Sequence, residues 1–328
     1  MMTDRRLLDV RGLGVTFATP RGRVRVVDNV NFDIARGECV GLIGESGSGK
    51  SVTALSLVRL LKNATLEGEV LLDGKHLFTL SEAELNRVRG GEVGFVFQDP
   101  MACLNPALTI GYQVAEPAIL HLGMSKKEAR SHAADLLDRV GIARPADRLR
   151  DYPHQLSGGM RQRVMVAIAL AANPRLIIAD EPTTALDVTI QAQILDLIRE
   201  VSAQTDAAVL MITHDLGIAA GLCDRVNVMY AGQIVEQATT SVLFSAPEMP
   251  YTWGLLDSLP RMDDVRGTKL RSIPGSPPAP PLPDDICRFS SRCPYARDVC
   301  RDTGPELVVR SPIQAARCLG TESTGWIT

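Results

Sequence analysis

The chain has 328 residues, 45% hydrophobic and 22% charged, with Lys+Arg 35 against Asp+Glu 38 for a formal net charge of -3. That near-balance argues against nucleic acid or an anionic membrane surface as the main partner, and the length leaves room for two domains. No apolar run approaches the ~18–20 residues that cross a bilayer, and Arg5 and Arg6 stand in a first stretch without the apolar core of a signal peptide, so the expectation is a soluble, cytoplasmic chain whose membrane role comes through a partner.

Residues 7–34 read as short strands and turns: Leu8, Val10, Leu13 and Val15 in one strand, Arg23 to Val27 in a second, and the alternating Val30-Asn31-Phe32-Asp33-Ile34 in a third. The apolar run Cys39-Val40-Gly41-Leu42-Ile43 predicts a buried strand. A glycine-rich loop follows it, then a helix with Val52, Leu55, Val58 and Leu61 on one face. Further strands are expected at Val70-Leu71-Leu72, ending in the Asp73-Gly74 turn, and at Gly94-Phe95-Val96-Phe97. The pattern is then helical from Pro100 to Ala172; Ser125 with Glu128 forms a capping box ahead of the apolar face Ala129, Ala133, Leu136, Leu137 and Val140. Strands return at Leu176-Ile177-Ile178-Ala179 and Val209-Leu210-Met211-Ile212, with a helix between them over residues 189–202. Residues 226–236 read as a closing hairpin turning at Ala231-Gly232, and the proline-rich run from Ile273 to Pro283 as an extended connector. Alternating strands and helices predict an α/β fold with a largely parallel core and an inserted helical subdomain.

Three motifs carry chemistry. Gly44-Glu45-Ser46-Gly47-Ser48-Gly49-Lys50-Ser51 sits between a strand and a helix, the context a P-loop requires. Its glycines let backbone N–H groups turn toward phosphate oxygens at the positive end of a helix. Lys50 supplies a mobile cation for the β- and γ-phosphates, and Ser51 a hydroxyl for Mg²⁺. The strand at Leu176 ends in Asp180, suited to hold Mg²⁺, and Glu181, suited to orient and polarise an attacking water. Leu156-Ser157-Gly158-Gly159-Met160-Arg161-Gln162-Arg163 places two glycines after a serine before a helix expected over residues 162–172, a second anion-binding helix start. One nucleotide needs only one such grip, so the second is expected to serve a nucleotide held by another subunit.

Taken together, the motifs resemble the nucleotide-binding subunit of an ATP-binding cassette (ABC) transporter. The resemblance implies a P-loop NTPase core of RecA-like fold, an N-terminal antiparallel β-subdomain and a helical subdomain over about 99–172, within an ATPase domain of 1–260. It assigns Leu156 to Gln162 as the signature motif, with Ser157, Gly158, Gly159 and Gln162 facing ATP. Gln98 becomes the glutamine that senses Mg²⁺ and the membrane subunit, Asp187 the acid of the D-loop, and His214 the switch residue on the γ-phosphate. The family stacks adenine on an aromatic residue where this chain has Arg21, which can also stack on a base.

Gln98-Asp99-Pro100-Met101, Leu104-Asn105-Pro106, and the tail with Pro250-Tyr251-Thr252 and Gly275-Ser276-Pro277-Pro278 are similar to the dipeptide, oligopeptide and nickel importer branch. The linker and extension over 261–328 carry Cys287, Cys293, Cys300 and Cys318, without the C-x2-C pairs of common zinc sites. Resemblance to that branch implies a [4Fe-4S] cluster in some members, with zinc or reduced structural cysteines as the alternatives; Arg288, Arg292 and Arg297 are expected to offset the thiolate charge. The resemblance further implies ATP and Mg²⁺ as cofactors and a second ABC ATPase subunit, identical or paralogous, as partner. It also implies two integral membrane permease subunits, an indirect extracytoplasmic solute-binding protein, no nucleic acid, and a place on the cytoplasmic face of the cell membrane. A motor for nickel or another small solute, or a soluble ABC ATPase outside transport, are the alternative readings.

Overall fold

Two long strands, Arg6–Thr19 and Gly22–Ala35, replace the three short ones expected at the start of the chain. The second runs on past Asn29, whose φ of 48° puts an irregularity where the sequence suggests a break. The computed structural model describes residues 6–20, 22–183, 188–259, 272–279, 281–283 and 285–320. It divides into two units: one holds Leu71–Ile212 with Ile34–Cys39 and Met1–Leu8, the other Asp9–Asp33, Val40–Val70 and Thr213–Thr328.

In the first unit, the parallel strands Val93–Val96, Leu176–Asp180 and Ala208–Thr213 pair in that order, Val96 opposite Ala179 and Asp180 opposite Ile212. Leu176 to Asp180 are all buried, as expected of a strand covered on both faces. Its helical part comprises Ile110–Leu122, Lys126–Arg139 and Gly158–Leu170 with shorter turns at Pro100–Cys103 and Pro145–Arg148. The capping box at Ser125 and Glu128 is present, and Ala129, Ala133, Leu136 and Leu137 form the buried face as expected.

In the second unit, Cys39–Ile43 runs parallel to Arg225–Tyr230, with Ile43 opposite Val228, and delivers the chain to the glycine-rich loop. Arg225–Tyr230 and Gln233–Thr239 form the expected antiparallel hairpin. The sheet then continues into the tail. Gln314–Ala316 pairs antiparallel with Gln233–Thr239, and Val308–Ser311 pairs with Gln314–Ala316. Glu236, 0% exposed, fixes this join. Its carboxylate accepts from the N–H groups of Glu248 (2.7 Å) and Met249 (3.2 Å) and from Gln314 Nε2 (3.1 Å). Burial raises the pKa of this carboxyl above its ordinary value, the hydrogen bonds opposing it. Among the described residues, no helix is long and apolar enough to cross a membrane.

Candidate functional site

Glycine-rich backbone can curl only where nothing blocks it, and the loop after Ile43 is closely fitted on one side and open on the other. Gly44 has φ 150°, and a Cβ there would stand 2.1 Å from the Met229 carbonyl oxygen. Gly47, at φ 77°, has nothing within 4 Å of the corresponding position. The loop ends at Gly49, which caps the helix Lys50–Leu57. Ser51 stands in that helix's first turn, an oxygen donor of the kind Mg²⁺ takes. Lys50 is buried and donates from Nζ to the carbonyls of Gly44 (2.8 Å) and Glu45 (2.9 Å), so the cation is folded back along its own loop. Ser46 and Gly47 are exposed, whereas Ser48 is buried and its carbonyl accepts from Gly232 N at 2.9 Å. An open space where a Cβ would go, beside a helix N-terminus and a lysine, suits a phosphate chain in charge.

Glu45 is held on three sides. Its N–H donates to Tyr251 Oη at 2.8 Å, its carbonyl accepts from Lys50, and its carboxylate takes both arms of Arg292, at 2.6 and 3.0 Å. Burial raises the pKa of Tyr251, so it stays a neutral hydroxyl able to accept that N–H. Tyr230, Tyr251 and Phe289 pack ring against ring next to this point, with centroids 4.5 to 5.4 Å apart.

In the first unit, Asp180 is buried at the end of its strand, and Glu181 follows at φ 46°. A non-glycine residue in the left-handed region is strained and persists only when its surroundings fix it. Here Glu181 N donates to Ile212 O at 2.9 Å, and Gln98 Nε2 donates to Glu181 Oε2 at 2.9 Å. Gln98 and Glu181, predicted separately, are thus in direct contact.

The signature segment differs from its expected boundary. The helix runs over Gly158–Leu170, starting four residues before Gln162, because Ser157 is its N-cap and Ser157 Oγ accepts from Met160 N at 3.3 Å. Gly158 and Gly159 therefore lie in the first turn, whose N–H groups have no partner within the helix. A Cβ on Gly158 would meet nothing within 4 Å. Gln162 points inward, and its Nε2 is buried without a hydrogen-bond partner. His214 is exposed just after the strand Ala208–Thr213. Arg21 and Asp187 lie outside the described residues.

The cysteine expectations need correction in two respects. Cys287, Cys293, Cys300 and Cys318 all line one cavity, together with the apolar Met249, Phe289 and Leu319. Even so, among the described residues no three His, Cys, Asp or Glu side chains are arranged to hold a metal ion, so the [4Fe-4S] expectation gains no support from side-chain geometry. Burial pushes the thiols of Cys293 and Cys318 up to about 11 and that of Cys287 upward, backbone hydrogen bonds opposing the rise and the neighbouring cysteines adding to it. Nor do two of the flanking arginines, Arg288 and Arg292, pair with them. Arg288 pairs with Asp28 at 2.7 Å, and Arg292 with Glu45. Arg317 is the arginine whose charge acts on Cys287. Arg317 carries no motif, and Tyr251 and Arg292, both noted in the tail pattern, carry no local signal that places them at the phosphate loop.

Comparison with known proteins follows the same lines. A family model described as ABC transporter matches residues 27–184, and one described as the C-terminal region of oligopeptide/dipeptide transporters matches residues 235–300. The oligopeptide transport ATP-binding protein AppD of Bacillus subtilis (strain 168) is 48% identical over 322 residues, covering 97% of this chain and 98% of that protein. The dipeptide transport ATP-binding protein DppD of the same organism is 46% identical over 316 residues, covering 95% of this chain and 94% of its own length. Among solved structures, a dimeric post-hydrolysis state of the ATP-binding cassette MJ0796 bound to ADP and Pi is similar, with a TM-score of 0.65, 33% identity, and coverage of 71% of this chain and 98% of that one.

Proposed function

The chain belongs to the ABC transporter ATP-binding proteins of the oligopeptide and dipeptide importer family, and from that premise we propose how its residues carry the work. It has the ABC cassette fold, a mixed α/β P-loop core with an antiparallel β-subdomain and a helical subdomain. It is the ATP-binding motor subunit of a peptide importer and hydrolyses ATP for transport.

The loop Gly44 to Ser51 grips the phosphates through its N–H groups and Lys50, which leaves the Gly44 and Glu45 carbonyls to do so. Ser51, Asp180 and Gln98 offer the oxygen donors that Mg²⁺ requires, and the ion when bound neutralises charge on the transferring phosphoryl group. Glu181 takes the proton of the attacking water, and Gln98 holds its carboxylate in place through the 2.9 Å contact. His214 contacts the γ-phosphate, and Asp187 and Arg21 keep their family roles at the dimer contact and the adenine. The helix start at Ser157, Gly158 and Gly159 completes a site on a second ATPase subunit, of identical or paralogous sequence. Partner permease subunits carry the cargo, a solute-binding protein selects it, and the chain works from the cytoplasmic face of the membrane.

The observation that carries this reading is the second glycine-rich helix start, capped by Ser157 and open at Gly158. The chain isolated with its permeases and reconstituted into liposomes is expected to hydrolyse Mg-ATP and to accumulate peptide delivered by the binding protein. ATPase activity that stays with ribosomes or nucleic acid and never with permeases would overturn it.

The cysteine cavity is where a [4Fe-4S] cluster would sit, and four thiols in an apolar lining suit it in kind though not in spacing. Anaerobically purified chain is expected to be brown, with iron and sulfide of about four each; a colourless, iron-free preparation overturns this.

A further inference from the structure

Nothing in the ATPase chemistry requires an arginine from the far end of the chain, yet Arg292 reaches Glu45 inside the phosphate loop, 247 residues away in sequence. The contact is a built one. Arg292 has a side chain only 4% exposed. Its Nε donates to the Pro274 carbonyl at 2.8 Å, and its guanidinium carbon lies 5.8 Å from the centre of the Tyr230 ring. Both guanidinium arms close on the one carboxylate, the geometry in which arginine fixes position as well as charge.

Two physical consequences follow. A carboxylate in a loop that must accept a triphosphate opposes its ligand, because like charges at short range repel. Arg292 cancels that charge on the side of Glu45 facing the tail. The second consequence concerns Lys50, which holds the Glu45 carbonyl in this structure and must let go to meet phosphate. Once it has gone, the Ser48 N–H still holds the Glu45 carbonyl at 3.2 Å, and Arg292 and Tyr251 are the groups from outside the loop that hold Glu45, one by the carboxylate and one by the N–H. We propose that Arg292 is a positioning residue for ATP binding, neutralising Glu45 and keeping the phosphate loop curled while Lys50 changes partners. The inference rests on the reading of Gly44 to Ser51 as the ATP grip, and it assigns the importer tail a direct part in that grip.

Equilibrium titration of the full-length chain with a fluorescent ATP analogue, followed by steady-state ATPase assays in the assembled transporter, tests it. Arg292→Met is expected to weaken ATP binding and raise KM about tenfold, with kcat at saturating ATP within about twofold of wild type. Arg292→Lys, which keeps the charge without the two-armed grip, should stay within about threefold of wild-type affinity. The deciding variant is Arg292→Met combined with Glu45→Gln, since removing the unopposed carboxylate should restore most of the lost affinity. A purely structural arginine would give no such rescue, so a double variant as weak as Arg292→Met overturns the proposal. Unchanged ATP binding in Arg292→Met overturns it as well. Should Arg292→Met fail to fold, Arg292→Gln, which loses the charge and keeps hydrogen-bonding groups, carries the same expectations. Wild-type chain that bound no ATP would instead sink the reading of the loop itself, so the two failures are distinguishable.

Discussion

Replacing Glu181 by glutamine, Glu181→Gln, is expected to leave ATP binding near wild type while hydrolysis falls about 10²–10⁴-fold. The exchange keeps the size of the side chain and removes its ability to take a proton. Its place is held from two directions, by the bond of its N–H to Ile212 O and by Gln98 Nε2 on Oε2. Gln98 can still donate to the amide oxygen of the new side chain, so position survives and basicity does not. The backbone strain at φ 46° is the same for glutamate and glutamine, which keeps stability out of the comparison. Single-turnover hydrolysis of labelled ATP, with binding measured in parallel, reads the split. Hydrolysis at the wild-type rate would remove Glu181 from the role of base.

Gly44→Ala is expected to unfold the phosphate loop, while Gly47→Ala should leave the fold intact and disable binding. At Gly44 an added methyl would meet the Met229 carbonyl at 2.1 Å, and that carbonyl belongs to the strand paired in parallel with Cys39–Ile43. Neither backbone can yield without breaking the register of Ile43 against Val228. Overpacking of backbone on backbone, added to an unfavourable φ, costs about 3 kcal/mol or more. At Gly47 the methyl meets no atom within 4 Å, so the folding cost is the left-handed φ alone, about 1 kcal/mol. The methyl would instead occupy the space proposed for phosphate. Thermal melts and ATP titrations of both variants separate the effects: a lowered Tm for Gly44→Ala, and a near-normal Tm with at least tenfold weaker ATP for Gly47→Ala. If Gly44→Ala melts and binds like wild type, the close fit against Met229 has no consequence.

What could be read from the sequence was local. The strand into the phosphate loop, the capping box at Ser125 and Glu128, and the acids ending the strand at Leu176 each announce themselves within about ten residues, the range over which propensity and capping act. The helix at Gly158 was placed late because its glycines look like loop; Ser157 as N-cap, itself a local signal, was the clue that could have moved the boundary. The contact of Gln98 with Glu181 and the left-handed backbone of Glu181 could not be read, since both depend on which strands lie side by side. The tail departs from its sequence in a more instructive way. Arg288 and Arg292 flank cysteines in sequence, so charge compensation of thiolates was the natural expectation. Their long side chains turn instead to Asp28 and Glu45, acids more than two hundred residues away. Nor does any periodicity in residues 308–316 reveal two strands that extend the sheet at Gln233–Thr239.

That extension alters how the end of the chain should be regarded. An unpaired sheet edge is a template on which other chains can add, and Gln233–Thr239 would present one were Gln314–Ala316 not beside it. Glu236 would then face solvent with its amide partner missing, in the middle of that edge. A chain trimmed to its ATPase motifs would therefore lose Arg292 from the phosphate loop and expose a new flank as well. The tail moves the edge of the sheet from Gln233–Thr239 out to Val308–Ser311, and shortened forms should be checked for aggregation before they are judged as weak enzymes.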